Sequence, residues 1–326
     1  MPSILKLIIM ENGKVLITGG AGFIGSHLVD ALLGQNWEVS VLDNCSAGDK
    51  ICPLALKNIQ FIKGDVRDLN LVLRAAENCD AIIHLAAVVG VDAVIARQTE
   101  TIETETIGTQ NIVKAAKLNR VKKIIYSSSS AVYGKVRDRF NREDDSLDLV
   151  NAYAVAKRLN EQYLGSLTLE EGISTNCLRF FNVYGGRQDS RMVVPRFFEQ
   201  AINNQPIEVF GDGNQTRDFT HIDDVVEAIT TLLSSHSVNG VFNISRGIET
   251  TIQELAELIK KVTNSDSKIS NLIFPIKRKL FKVDRRVGSA EKLFKHIGTK
   301  PSIFLQEGLE TYFSKMINRI ENSTQI

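Results

Sequence analysis

Charge of one sign is the first thing this chain lacks: 39 Lys and Arg residues stand against 38 Asp and Glu, a formal net charge of +1. Binding to nucleic acid or to an anionic membrane surface draws on a basic excess, so neither partner is expected. Cysteine is also scarce. The four residues Cys45, Cys52, Cys79 and Cys177 show no close metal-ligand pairing, so no metal site and no disulfide framework is expected, and reduced thiols in a cytoplasm fit the pattern. Long hydrophobic runs are missing as well. The opening MPSILKLIIM is apolar, but it is too short to span a bilayer and has no small-residue cleavage site, so it reads as an edge extension or a tail. No internal repeat or low-complexity run is visible. What the 326 residues do offer, at 43% hydrophobic and 24% charged, is enough apolar material for a large core, expected in two lobes, and a bias toward small-molecule chemistry.

Strand and helix signals alternate along the first half. KVLITGG and EVSVLDN are short β-rich runs around the helix-like GSHLVDALLGQN, and IQFIKGD, CDAIIHLAA and KKIIYSSS continue the series. Near-continuous apolar strands of this kind imply a parallel sheet covered on both faces, an α/β doubly wound fold. The pattern loosens after TNCLRFFNVYG, which places a boundary at Asn182: residues 1–182 form one domain, with 1–12 as its extension, and 183–326 a smaller α/β lobe. Some later segments are expected to return to the sheet. The charged REDDSLD reads as a solvated loop.

Two constellations carry chemistry. In TGGAGFIG, Gly19, Gly22 and Gly25 stand at a strand-to-helix junction, where missing side chains let a pyrophosphate approach the helix N-terminus. The next strand ends at Asp43, whose carboxylate suits ribose hydroxyls and repels a 2′-phosphate, so NAD is favoured over NADP. Asp65 closes the following strand, where it either reaches the adenine or caps the helix after it. In YAVAK, Tyr153 and Lys157 are four residues apart and share a helical face. A neighbouring cation stabilises phenolate and lowers a tyrosine toward use as a general base.

TGGAGFIG, HLAA, SSSSAVYG, YAVAK, RFFNVYGGRQ and VFGDGNQTRDFTHIDDVVEA, in that order from about Lys14 to the C-terminal helix, resemble the extended short-chain dehydrogenase/reductase family, in particular its nucleotide-sugar epimerases and dehydratases. The resemblance implies a Rossmann-type NAD-binding domain followed by a nucleotide-sugar-binding lobe. It makes Tyr153 the catalytic acid/base, Lys157 its support and the binder of the nicotinamide ribose, and Ser129 the donor to the reacting sugar oxygen. NAD would lie against Gly19, Gly22, Phe23, Ile24, Gly25, Asp43, Asn44, Asp65, Val66, Leu85, Ala86, Ala87, Ser127, Tyr153 and Lys157. The substrate, favoured as a UDP-sugar, would meet Ser129, Tyr153, Asn182, Val193, Phe210 and Arg217, the last suited to diphosphate. Two departures stand out. Glu105 occupies the position where the family usually has asparagine, and Lys279, Phe281 and Lys282 replace the Arg-x-Gly-Asp pattern, leaving Lys279 or Arg278 for the diphosphate.

The residues after Ser129 sort the reactions within that family. Its dehydratases carry Asp and Glu there and its decarboxylases a Glu, whereas this chain has Ser130 and Ala131. The expected reaction is therefore epimerisation at C4 of a UDP-hexose through a 4-keto sugar. A nucleotide-sugar dehydrogenase or reductase and a non-enzymatic NAD-binding regulator are the alternatives. The segments 105–117 and 152–167 are expected to pair two copies into a homodimer.

Overall fold

The computed structural model describes residues 13–135, 139–235 and 237–324, the side chains of 279–281 and 319–324 excepted. The N-terminal stretch read as an extension lies outside the described residues. Short apolar runs form strands β1 (Lys14–Thr18), β2 (Glu38–Asp43), β3 (Gln60–Lys63), β4 (Ala81–His84), β5 (Lys123–Ser129) and β6 (Ser174–Phe180). Later come β7 (Asn182–Tyr184), β8 (Ile207–Phe210), β9 (Thr216–His221), β10 (Gly240–Ile244), β11 (Glu249–Thr251) and β12 (Ile269–Leu272).

The central sheet runs β10-β6-β5-β4-β1-β2-β3, and its pairings are parallel. Side chains alternate along a strand, so Val15 and Ile17 join one apolar cluster with Leu28, Leu32, Val39 and Val41, while Leu16 joins another with Ile82, Ile124 and Leu164. Helices cover both faces. This is a Rossmann-type doubly wound fold, and its strand order reverses between β1 and β4, which opens a crevice at the carboxyl ends of the strands.

Beyond Asn182 the chain builds a second core. Strands β11-β9-β7 and the pair β12-β8 pack with the helices Val193–Ile202 and Ile252–Thr263 around Phe197, Phe198, Ile207, Val209, Phe219, Leu255 and Ile259. Strand β10 leaves this half and becomes the edge of the central sheet beside β6. The REDDSLD segment is only partly the solvated loop expected from its charge. Glu143 Oε1 accepts from the Asn243 backbone N–H at 2.7 Å, and the neighbouring Asn141 is buried, donating to the Val287 carbonyl at 2.8 Å. An edge strand needs partners for its free backbone groups, and this segment supplies one.

Candidate active site

The first wall of the crevice is backbone. Gly22 precedes the helix Phe23–Gly34 without a side-chain cap, so the first N–H groups of that helix stay open to an anion. A Cβ on Gly25 would stand 2.3 Å from the Gly19 carbonyl oxygen, and Gly19 itself has φ +71°, so this turn accepts only glycine at both positions. Asp43 ends β2 with its carboxylate fixed by the N–H groups of Ala21 at 2.9 Å and Cys45 at 2.7 Å. Burial raises its pKa above the ordinary aspartate value. Asp65 is taken by the Arg67 guanidinium at 2.7 and 3.0 Å, and the next helix is capped by Asp68, not by Asp65.

These groups line one cleft of about 570 Å³. Gly19, Gly22, Phe23, Ile24, Gly25, Asp43, Asn44, Asp65 and Val66 line it from the β1–β3 side. Leu85, Ala86, Ala87, Ser127, Ser129, Tyr153 and Lys157 line it from β4, β5 and the helix Ala152–Glu171, and Asn182, Val193, Phe210 and Arg217 from the far lobe. Residues scattered over two hundred positions thus converge. The side chain of Lys279 lies outside the described residues, whereas Arg278 lines the cleft.

The centre of the cleft is built on one helix start and one strand end. Asn151 caps the helix through Ala154 N–H at 2.9 Å, which sets Tyr153 and Lys157 on the first turns facing β5. Lys157 is 1% exposed; its ammonium donates to the Ser127 carbonyl at 2.6 Å and lies 5.5 Å from the Tyr153 ring centroid. Ser129 lines the cleft together with Tyr153 and its hydroxyl oxygen accepts from Ala131 N–H at 3.1 Å. Burial pushes the phenol above its ordinary pKa, while Lys157, Ser129 and Arg286 pull it back. The row of serines divides its work: Ser127 donates to the His84 carbonyl at 3.1 Å, and Ser128 to Glu161 at 2.6 Å.

Glu105 and Arg286, close to this centre, were not read as functional, whereas Arg217 was. Glu105 is fully buried against Lys157, and Tyr126 and Asn160 hold it there. Arg286 lies beside Arg217 and Tyr153, and burial, followed by the charge of Arg217, lowers its pKa to about 9. Arg217 donates to the carbonyls of Thr216 at 2.7 Å and Val283 at 2.9 Å, and burial lowers its pKa to about 10. Among the described residues no carboxylate forms an ion pair with either arginine. Arg286 sits in DRR, which reads as surface charge, so no sequence signal separated it.

A family model described as the NAD dependent epimerase/dehydratase family matches residues 15–245. The UDP-N-acetyl-alpha-D-glucosaminuronate decarboxylase of Bacillus cytotoxicus is 38% identical over 80% of this chain and 84% of its own. A crystal structure of the UDP-glucose 4-epimerase of Thermotoga maritima with UDP-glucose is similar at a TM-score of 0.88 and 30% identity, covering 94% of this chain and 99% of that one. The dTDP-glucose 4,6-dehydratase of Streptomyces venezuelae, solved with NAD, gives a TM-score of 0.85 at 26% identity over 94% and 97% of the two chains.

Proposed function

The chain belongs to the NAD dependent epimerase/dehydratase family, and we propose that within it the protein is a nucleotide-sugar epimerase acting at C4 of a UDP-hexose. It is an enzyme of that family, and its cofactor is NAD. The glycine turn admits a pyrophosphate where any Cβ at Gly25 would collide with backbone, and Asp43 stands at the end of β2 for the ribose hydroxyls. Held by the glycine turn and Asp43, NAD would supply the hydride acceptor and donor for the sugar carbon.

The side chains do the rest. Tyr153, as phenolate, accepts the C4 hydroxyl proton and later gives it back, with Ser129 donating a hydrogen bond to the C4 oxygen as it becomes a carbonyl. Lys157 favours the phenolate. Arg217 and Asn182 hold the diphosphate and Val193 and Phe210 enclose the base, while the 4-keto sugar turns to present its other face. One observation carries epimerisation over elimination: Ser130 is buried, and neither Ser130 nor Ala131 is among the described residues lining the cleft. Dehydration across C5 and C6 needs an acid and a base where these residues stand.

A second reading rests on Arg286 and Arg217. Arg217 lines the cleft, Arg286 is near enough to feel its charge, and among the described residues neither forms an ion pair with a carboxylate, which suits a sugar that carries its own C6 carboxylate. A 4-keto uronate is a β-keto acid that loses carbon dioxide without a dedicated base, which fits the likeness to the Bacillus cytotoxicus decarboxylase. Incubation with a panel of UDP-hexoses and UDP-uronates, followed by NMR of the products, tests both. Two C4 epimers without net redox change are expected; a pentose product or released carbon dioxide moves the assignment to decarboxylation. The homodimer is proposed from Val155, Leu159, Tyr163 and Leu169, apolar and exposed on the helix Ala152–Glu171. Sedimentation at micromolar concentration is expected to show a dimer, and a lone monomer removes it.

A further inference from the structure

The position where the resembled family carries a neutral asparagine holds a carboxylate in this chain, and its surroundings are specific. Glu105 is 0% exposed in the helix Gln98–Leu118. Its Oε1 stands 2.8 Å from the Lys157 ammonium, an ion pair off the ideal hydrogen-bond direction, and its Oε2 accepts from the Tyr126 hydroxyl at 2.8 Å. Asn160 closes the arrangement by donating to the Tyr126 oxygen at 2.9 Å and to the Glu105 carbonyl at 3.0 Å. Three elements therefore meet on one acid.

We propose that Glu105 is a positioning residue for the Tyr153–Lys157 pair: its carboxylate fixes the Lys157 ammonium and cancels part of that ammonium's pull on the phenolate. The inference rests on the reading of Tyr153 as the proton-transfer group. Charge balance supports it. Glu161, one turn beyond Lys157, is taken by Arg179 at 2.8 Å and Arg158 at 3.0 Å. His84 on β4 bonds Thr18 at 2.7 Å and Thr109 at 3.2 Å, and burial lowers its pKa to about 3, so it stays neutral. Tyr126 on β5 is an uncharged donor, buried and pushed well up in pKa. Arg286 adds a cation toward Tyr153 from the C-terminal segment. Among the described residues Glu105 is thus the anion set against Lys157, and it shifts the phenol in the direction opposite to Lys157, Ser129 and Arg286.

A buried ammonium with a neutral amide in this position would act on Tyr153 at full strength. With the carboxylate, Tyr153 keeps its proton to higher pH, and the base form needed to begin the reaction appears later in a pH titration. The test follows Tyr153 directly. In NAD-loaded protein labelled with carbon-13 at the tyrosine ζ position, the Tyr153 resonance is assigned by its loss in Tyr153→Phe. Glu105→Gln is expected to lower the Tyr153 titration midpoint by about one unit, Glu105→Asn to move it the same way, and Glu105→Asp to restore most of it. A midpoint unchanged in whichever folded amide variant is obtained, or equal movement in Glu105→Asp, overturns the proposal. Because the signal requires no substrate, a moved midpoint in a protein that turns over no UDP-sugar leaves this inference standing and removes the epimerase reading.

Discussion

Lys157 and Arg278 line the same cleft and are held in opposite ways. Lys157 is sealed between β5 and two helices, with a buried carboxylate, a backbone carbonyl and two aromatic rings around it. Arg278 sits on the turn Ile276–Phe281, pairs with an Asp92 side chain that is 70% exposed, and lies 5.0 Å over the Phe210 ring. Exposed ion pairs are screened and lose side-chain entropy, whereas buried ones are fixed by everything packed against them. The wall that would do the chemistry is therefore fixed, and on the nucleotide side Arg278 is the adjustable part, in contrast to Arg217, which is held by two backbone carbonyls. Substitutions in the first should change turnover, and substitutions in the second should change apparent affinity.

The largest break in that comparison is Tyr153→Phe. Loss of the phenol oxygen is expected to lower kcat by about 10² to 10⁴ while cofactor, measured after denaturation, is retained; full activity in the variant would overturn the assignment. Lys157→Met should lose both turnover and cofactor, since it removes the partner of Glu105 and the cation beside the phenol together. Ser129→Ala follows at about 10². Ser130→Ala stays within a few-fold, because that hydroxyl is buried away from the cleft. Equal losses at the two serines would show that Ser130 reaches the reacting sugar.

The rigid wall was also the legible one. Near-continuous apolar runs announce a parallel sheet, the glycine turn, Asp43, Tyr153 and Lys157 lie in short local patterns, and the family resemblance singled out Ser129. Glu105 was visible only as a departure, because its meaning depends on Lys157 fifty-odd positions away across a helix–helix contact that no local period encodes. REDDSLD is exposed at Arg142, Asp144, Ser146 and Asp148 as its charge predicts, but the free edge of β10 captures Glu143, a contact no local pattern encodes. Asp65 stands four residues before the helix start at Leu69 and Asp68 one, and it is the Asp68 side chain that accepts from the N–H groups of Asn70 and Leu71 and caps the helix.

The smallest expected effect tests the adjustable wall. Arg278 Nε meets Asp92 Oδ1 at 2.7 Å, joining the far lobe to the helix Val91–Ala96 across the cleft, and this pairing holds the Asp92 carboxyl below its usual range. The link's contribution is therefore present above the ordinary aspartate pKa and is lost as pH falls through the depressed folded value. Asp92→Asn removes the charge but leaves Arg278 over Phe210, so a pair worth about 0–1 kcal/mol should raise KM no more than about fivefold and leave kcat unchanged. The difference from wild type should shrink in high salt, where the wild-type pair is already screened. A fall in kcat comparable with that of Ser129→Ala would mean that closure across Asp92 and Arg278 positions the sugar for chemistry, and the two walls would then have to be treated as one device.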